Sequence, residues 1–311
     1  MIRLPHLLES RLESLSAALL QPAEGRRIDF TQPPGEASFA TADSLSWRIF
    51  KNPIALLVGG ITAVILELAD PAVRTGVWNY SSFATDPMGR LRRTGLAAMV
   101  TVYGARSIAE PMIAGIVRMH ALVTGETPTG ETFSANDVRL LSWVHATASY
   151  GFSAAYSQYV SPLSRIDLDR LYTEGAPAAR CYGALDIPTS EAEWQALLLS
   201  MRGRLEPSDI LMQFLRIMGN TPTFPKPLRW MQPMLVRAAI ALVPEWLRGN
   251  LGLTTLPTLT GMEKRLVKLA GAALDRIVLP ESPPSQSCRR LGLPSEYLYT
   301  PYASVQRHLS L

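Results

Sequence analysis

Two stretches with strong helical periodicity, both within residues 103–159, constrain the fold of this chain more than any other feature. Apolar residues recur every three or four positions in each, which predicts two long amphipathic helices. One histidine lies on the apolar face of each helix, His120 in the first and His145 in the second. The apolar residues in register with them are Ile113, Ile116 and Val123 for His120, and Leu141, Ala148 and Phe152 for His145. An imidazole on an apolar face needs a hydrogen bond or a metal, and the spacing leaves open which of the two it has.

The composition is that of a folded globular protein that can bury a large core. Hydrophobic residues make up 47% of the 311 residues and charged residues 18%, which fits one large domain. The 30 basic and 26 acidic side chains give a formal charge of +4. Because the bases are spread along the chain, the sequence predicts no nucleic-acid partner. Two distant cysteines, Cys181 and Cys288, indicate reduced thiols in a cytoplasmic protein.

The longest apolar run, from Pro53 to Leu66, predicts a buried core helix. It is apolar for 14 residues, whereas a membrane-spanning helix needs about 20, so we expect no stable membrane span. Gly59 and Gly60 within the run suggest a tight contact with another helix. Residues 1–20 predict a further amphipathic helix, which lacks the unbroken apolar core of a secretory signal.

Capping residues predict where several helices begin. Asp70 and Asp86 each precede a proline, which is the arrangement of an N-cap followed by the first helical residue. Ser134, with an acid three residues on, predicts the start of the second histidine helix, which ends near Val160. Further helices are predicted at 164–183 with a break at 175–177, and at 191–202, 207–219, 227–243 and 261–276.

No stretch shows convincing strand-like alternation and no repeat is present, so the sequence predicts an all-α fold. The expected organisation is an N-terminal helix and loop at 1–45 and a single large helical domain at 46–280. Residues 281–311, which are rich in proline and serine, are expected to form a C-terminal surface tail.

Arg90, Arg93 and Thr94 share one face of the helix that begins after Asp86, at positions i, i+3 and i+4. Two guanidinium groups and a hydroxyl on one face can hold an anionic group such as a carboxylate. A solvated basic helix surface explains the same pattern, and the residues alone do not decide between the two readings.

The motifs of common nucleotide-binding, hydrolytic and zinc sites are missing from the sequence, including GxGxxG, GxxxxGK[ST], GxSxG and HExxH. Di-iron bundles use Glu-x-x-His pairs, but the residues three positions before His120 and His145 are Val117 and Ser142. One histidine in a large apolar helical pocket suits haem better, since haem is a flat and mostly apolar cofactor that asks the protein for few ligands.

From about Trp47 to Leu253 the chain resembles the MpaB/rubber-oxygenase (latex-clearing protein) family. The motifs that carry the resemblance are, in chain order, DP-x-x-R-x-x-x-T from Asp86, R-x-H-x-x-V-x-G around His120, W-V-H-A-T around His145 and S-P-L-S from Ser161. The family implies a helical, globin-like core that holds haem b. It also implies oxygen-dependent chemistry, including oxidative cleavage of carbon–carbon double bonds in isoprenoid chains.

The resemblance implies a role for each matching residue. His120 matches the family histidine that ligates the haem iron from the proximal side, and His145 matches a second histidine that supports the pocket. Arg90 and Thr94 match residues that line the haem pocket. These roles are chemically coherent, because an arginine at the haem edge can pair with propionates and a proximal imidazole binds the metal through one nitrogen.

Two positions depart from the family pattern. Where rubber-cleaving relatives carry a lysine before the pocket threonine, this chain has Arg93, which stays protonated and is a poor metal ligand. We therefore expect water or no ligand on the distal side. Asp70 stands where many relatives have histidine before proline. Asp70 or Glu67 can act as a distal acid or base, but N-capping alone also explains the Asp-Pro pair.

The leading hypothesis is a haem b-dependent oxygenase with an apolar, isoprenoid- or lipid-like small-molecule substrate. O2 would bind iron opposite His120, and the candidate catalytic residues are Arg93, Thr94 and Asp70. Peroxidase-like turnover of the same haem is one alternative, since a distal arginine favours heterolysis of a bound peroxide. A haem carrier or sensor, or a helical protein without the cofactor, is the other.

Overall fold

The computed structural model describes residues 27–221, 224 and 226–300, together with 1–2, 5 and 9–14. Helices make up most of this part of the chain, and the predicted all-α fold is confirmed. The named helices are α1 (Leu45–Phe50), α2 (Pro53–Ala69), α3 (Pro71–Tyr80), α4 (Pro87–Tyr103), α5 (Arg106–His120), α6 (Val138–Tyr159), α7 (Arg165–Tyr182), α8 (Glu191–Ser200), α9 (Asp209–Asn220), α10 (Met231–Ile240), α11 (Glu245–Asn250), α12 (Gly261–Leu274) and α13 (Pro283–Arg290). Most of the helix predicted at 1–20 lies outside the described residues, as do His6 and His308.

A short hairpin between α5 and α6 is the part of the fold that the sequence did not indicate. Its antiparallel strands, β1 (Thr124–Glu126) and β2 (Thr132–Ser134), have three residues each, which is too short for a visible alternation. Because Ser134 belongs to β2, the start predicted for the second histidine helix is wrong. The N-cap is instead Asp137, whose side chain accepts hydrogen bonds from the first backbone amides of α6.

The break predicted at residues 175–177 does not occur, because α7 runs through Pro177 as a continuous helix. A proline removes one backbone hydrogen bond from a helix. The neighbours of Pro177, which are Ala176, Ala178 and Ala179, are buried against the rest of the domain. Tertiary packing therefore holds this turn in the helical conformation.

At the centre of the fold α2 and α6 approach each other closely. A Cβ atom built at Gly59 would lie 2.7 Å from the Cα of Phe152, and one at Gly151 would overlap the carbonyl oxygen of Gly59. Only glycine fits at both positions. At Gly60 the nearest atom would be 3.8 Å away, so the predicted tight contact is made by the first glycine of the pair alone.

The segment expected to form a surface tail is partly buried. Cys288 on α13 has no exposed surface and belongs to a second core cluster with Trp47 and Tyr103. The polar side chains of α13 are accommodated by backbone carbonyl groups, since Ser287 Oγ donates to the Tyr103 carbonyl at 2.9 Å and Arg290 Nη2 donates to it at 2.7 Å. For residues 283–290 the surface expectation therefore does not hold.

Within the described ranges, no single helix combines the length and hydropathy of a membrane span. The helices α2 and α3 reach that length and hydropathy only together, and the chain bends by 109° between them. Both cysteines are free, with Cys181 exposed and Cys288 buried.

Candidate functional site

Four helices bring chemically active side chains into one group, which we call the charged cluster: Glu67 from α2, Arg90 from α4, His120 from α5 and Thr147 from α6. The charge of Arg90 acts on both Glu67 and His120, and Thr147 lies close enough to Glu67 to influence its pKa, while the Thr147 hydroxyl donates to the backbone carbonyls of α6. The cluster thus combines an acid, a base and a permanent cation.

Local structure explains why these residues meet. The contact of Gly59 with Gly151 sets α2 and α6 side by side. Glu67 follows Gly59 by two turns and Thr147 precedes Gly151 by one, so both lie on the same side of this contact, near each other. Asp86 caps α4 as predicted, since its Oδ1 accepts the Gly89 amide at 2.9 Å.

The surroundings shift the pKa of each titratable member of the cluster. Burial raises the pKa of Glu67 to about 7, although Arg90 and Thr147 both oppose the shift. Burial lowers the pKa of Arg90, and Glu67 counteracts this. Burial and then the charge of Arg90 lower the pKa of His120. Near neutral pH the cluster therefore holds a neutral imidazole beside a cation and a carboxyl group close to its midpoint.

Two members of the cluster have polar groups without a protein partner. The Nδ1 atom of His120 is buried and makes no hydrogen bond. The Arg90 guanidinium makes neither a hydrogen bond nor an ion pair within 4 Å in the described part of the chain. Buried polar atoms are normally paired, so the unpaired Nδ1 of His120 indicates a ligand with an affinity for imidazole. The partly exposed guanidinium of Arg90 nearby favours a ligand that also carries a negative charge.

His145 lies in different surroundings from His120. Its ring is so close to α7 that a Cβ at Gly175 would lie 3.0 Å from Cε1 and 3.2 Å from Nε2. The Nε2 atom is buried without a partner, and burial lowers the pKa of His145 to about 4. The side chain is therefore neutral at physiological pH and packs between α6 and α7.

Of the three residues predicted on one face of α4, only Arg90 joins the charged cluster. The Arg93 side chain is 57% exposed, donates to Ser82 Oγ at 2.5 Å and lies 3.6 Å from the Asp86 carboxylate. Thr94 is also exposed. The shared face is thus split between Arg90, which lies near His120 and Glu67, and a solvated edge with Arg93 and Thr94.

Asp70 forms a separate and fully satisfied network. Its Oδ1 accepts the backbone amides of Ala72 and Val73, which confirms the predicted N-cap. Its Oδ2 accepts Arg139 Nη1 at 3.1 Å and Arg204 Nε at 3.0 Å. Because the carboxylate is completely buried and both oxygens are engaged, N-capping and ion pairing account for Asp70, and the geometry gives no support to its catalytic alternative.

Sequence reasoning raised Glu67 only as an alternative to Asp70 and missed Thr147. A signal was available for Glu67, which is the single charged residue of α2. The arginine partners of Asp70 had no such signal, because positions 139 and 204 are far away along the chain. The described residues form no group of three or more His, Cys, Asp or Glu side chains that could hold a metal ion.

The comparison with known protein families agrees with the motifs. The family model described as "ER-bound oxygenase mpaB/B'/Rubber oxygenase, catalytic domain" matches residues 47–276. The chain belongs to this family. The match covers most of the chain, includes the whole charged cluster, and extends beyond Leu253, where the recognised motifs end. No curated protein and no solved structure matches the chain. The domain is thus a member of an oxygenase catalytic-domain family.

Proposed function

We propose that the chain is a haem b-dependent oxygenase that acts on an apolar, isoprenoid- or lipid-like substrate, with His120 as the proximal ligand. The observation that carries the proposal is the pairing of an unpartnered imidazole, His120, with an unpartnered guanidinium, Arg90, inside a domain of an oxygenase family.

These two groups fit haem b. The propionate groups of haem are carboxylates, and arginine is the side chain best suited to bind them. Haem asks the protein for few ligands, so the single imidazole of His120 would be sufficient to hold its iron. His120 and Arg90 are the residues that would hold the cofactor, and His145 would support the pocket by packing α6 against α7.

When bound, haem b supplies the iron at which dioxygen is activated. Among the protein groups, Glu67 is the best candidate for proton transfer, since a carboxyl group with a pKa of about 7 both holds and releases a proton near neutral pH. Thr147 is the neighbouring hydroxyl on α6, and with Arg90 it opposes the rise in the pKa of Glu67. We therefore assign the acid/base role to Glu67 in place of Asp70.

The peroxidase-like alternative depends on an arginine on the distal side. Arg93 was the candidate, but its guanidinium is turned to Ser82 and Asp86 at the exposed edge of α4. An oxygenase is therefore the better supported of the two enzyme classes. A haem carrier or sensor would contain the same His120 and Arg90 and would differ only in turnover.

The test is the absorption spectrum of purified wild type, His120→Ala and His145→Gln. We expect a Soret band in wild type, its loss or a clear shift in His120→Ala, and the wild-type band position in His145→Gln, which serves as the matched control. Identical spectra for wild type and His120→Ala would show that the ligand assignment is wrong. Product formation from a polyene with O2, compared with H2O2, separates oxygenase from peroxidase, and no product with either indicates a carrier.

A further inference from the structure

The outer face of α12 carries an apolar stripe that no other part of the described chain covers. Met262, Leu266 and Leu269 are 75%, 41% and 68% exposed. Their spacing of four and three residues places them on one face of the helix. Three large apolar side chains in one exposed row differ from the scattered single exposures that most proteins show.

The opposite face of α12 is anchored in the domain, so the orientation of the stripe is fixed. Val267 has no exposed surface, and a Cβ at Gly271 would overlap the carbonyl oxygen of Tyr159 on α6. A rotation of the helix that buried the stripe would separate these contacts.

The charged residues of α12 and its C-terminal end also differ between the two faces, with the acids toward the domain and the bases exposed. Glu263 pairs with Arg237 on α10, and Asp275, just after the helix, lies 2.6 Å from Lys51 Nζ. Both acids of this region are therefore engaged with the body of the domain. Four bases, Lys264, Arg265, Lys268 and Arg276, are exposed, and no ion pair joins them to an acid in the described ranges.

On a helical wheel Arg265 and Lys268 border the stripe on one side. Arg265 precedes Leu269 by four residues, and Lys268 follows Arg265 by three, so the basic edge adjoins the apolar one. A helix with an apolar stripe and a flanking row of Lys and Arg is the pattern of helices that lie in the plane of a membrane interface.

We propose that α12 is a docking surface for an anionic lipid membrane. The three apolar side chains would enter the acyl boundary, and the long basic side chains would reach the lipid headgroups. The helix would lie on the membrane without crossing it, which agrees with the lack of a single spanning helix among the described residues. Such docking would bring the domain to the phase in which an apolar substrate dissolves.

The charges decide against a second copy of this chain as the occupant. A two-fold contact through the stripe would place Arg265 and Lys268 of one copy close to the same bases of the other. Like charges at an interface are unfavourable. A negatively charged surface has no such conflict.

The test is co-sedimentation of the full-length protein with vesicles of phosphatidylcholine alone and of phosphatidylcholine mixed with phosphatidylserine. We expect wild type to bind the anionic vesicles more tightly than the neutral ones, with weaker binding at high salt. The variant M262Q/L266Q/L269Q should bind roughly tenfold more weakly or worse, because apolar burial supplies most of the affinity. The variant R265Q/K268Q should lose the preference for anionic vesicles.

The matched control is I166Q/L185Q, which replaces two exposed apolar residues elsewhere, 80% and 61% exposed in the wild type, and should bind like wild type. Equal binding of wild type to the two kinds of vesicle would overturn the proposal, as would unchanged binding of M262Q/L266Q/L269Q. If that variant does not fold, R265Q/K268Q decides the test alone. A wild-type dimer that the stripe variant converts to a monomer would assign the stripe to self-association instead. Vesicle binding needs no haem, so its failure is distinct from failure of the proposed function.

Discussion

Glu67 and Asp70 lie three residues apart at the end of α2, yet their surroundings are opposite. Asp70 accepts two backbone amides and two arginines, and both of its oxygens are engaged. Glu67 makes no ion pair within 4 Å in the described part of the chain, the charge of Arg90 acts on it from nearby, and burial raises its pKa to about 7. Two acids at one helix end thus differ in the number of their partners.

The arginines show the same contrast. Arg204 binds Asp70 and also both oxygens of Glu131, at 2.9 and 2.7 Å. Arg90 makes no such bond within the described residues and lies beside His120, whose Nδ1 is also unpaired. A fully paired charge stabilises the fold, whereas an unpaired one remains available for a ligand. The difference supports the proposal that Arg90 and His120 form a binding site, whereas Asp70 and its arginines stabilise the fold.

The largest expected effect is on the structural side. Asp70→Ala removes the cap of α3 and leaves Arg139 and Arg204 without their shared partner, so we expect a loss of about 3–4 kcal/mol in the free energy of unfolding. Urea unfolding of the purified variant measures this loss. A variant that keeps wild-type stability but loses activity would contradict the structural role of Asp70 and would assign it a functional one.

The second expected effect concerns the pH dependence of stability. The pKa of Glu67 is raised in the folded state from 4.5 to about 7, so the unfolded chain releases this proton at lower pH than the folded one. The ionisation of Glu67 therefore does not affect stability below pH 4.5, and stability falls as pH rises to about 7, by up to about 3 kcal/mol.

The variant Glu67→Gln should remove this fall. Its stability relative to wild type should increase between pH 4.5 and 7 in urea unfolding of the cofactor-free protein. Glu110→Gln replaces an exposed acid on α5 and should leave the wild-type profile unchanged. If the difference in free energy of unfolding between Glu67→Gln and wild type does not vary with pH, the pKa of Glu67 is not raised in the folded protein.

The smallest expected effect separates two arginines on α4. Arg90→Gln should weaken haem binding about tenfold, since it removes one charge-assisted contact to a propionate. Arg93→Gln should change the affinity less than about twofold, because Arg93 is exposed and bound to Ser82. Titration of cofactor-free protein with haem gives both constants. Equal losses would mean that Arg93 turns inward when haem binds.

Features set by neighbouring residues were predictable from the sequence. The Asp-Pro pairs at 70 and 86 begin helices as expected, and the apolar run that contains Gly59 is a buried core helix. The errors arose where distant contacts override local rules. Ser134 resembles an N-cap but pairs in β2, and Pro177 resembles a helix break but is held by buried alanines.

For the candidate site, the sequence identified several residues but could not give the surroundings of each. His120, His145 and Arg90 stood out by periodicity and by family motifs, and the family itself is confirmed. The sequence could not place Arg93 and Thr94 at the solvated edge of α4, since three residues on one helix face turn to different surroundings only when the neighbouring helices are present.

The sequence by itself determined the helical fold, most of the helix starts and the two histidine-bearing helices, because caps and periodicity act over a few residues. The tertiary structure alone decided which acid is satisfied and which is not. The partners of Asp70 come from positions 139 and 204, and those of Glu67 from positions 90 and 147. Only the packing of the helices brings such distant residues within reach of one carboxylate.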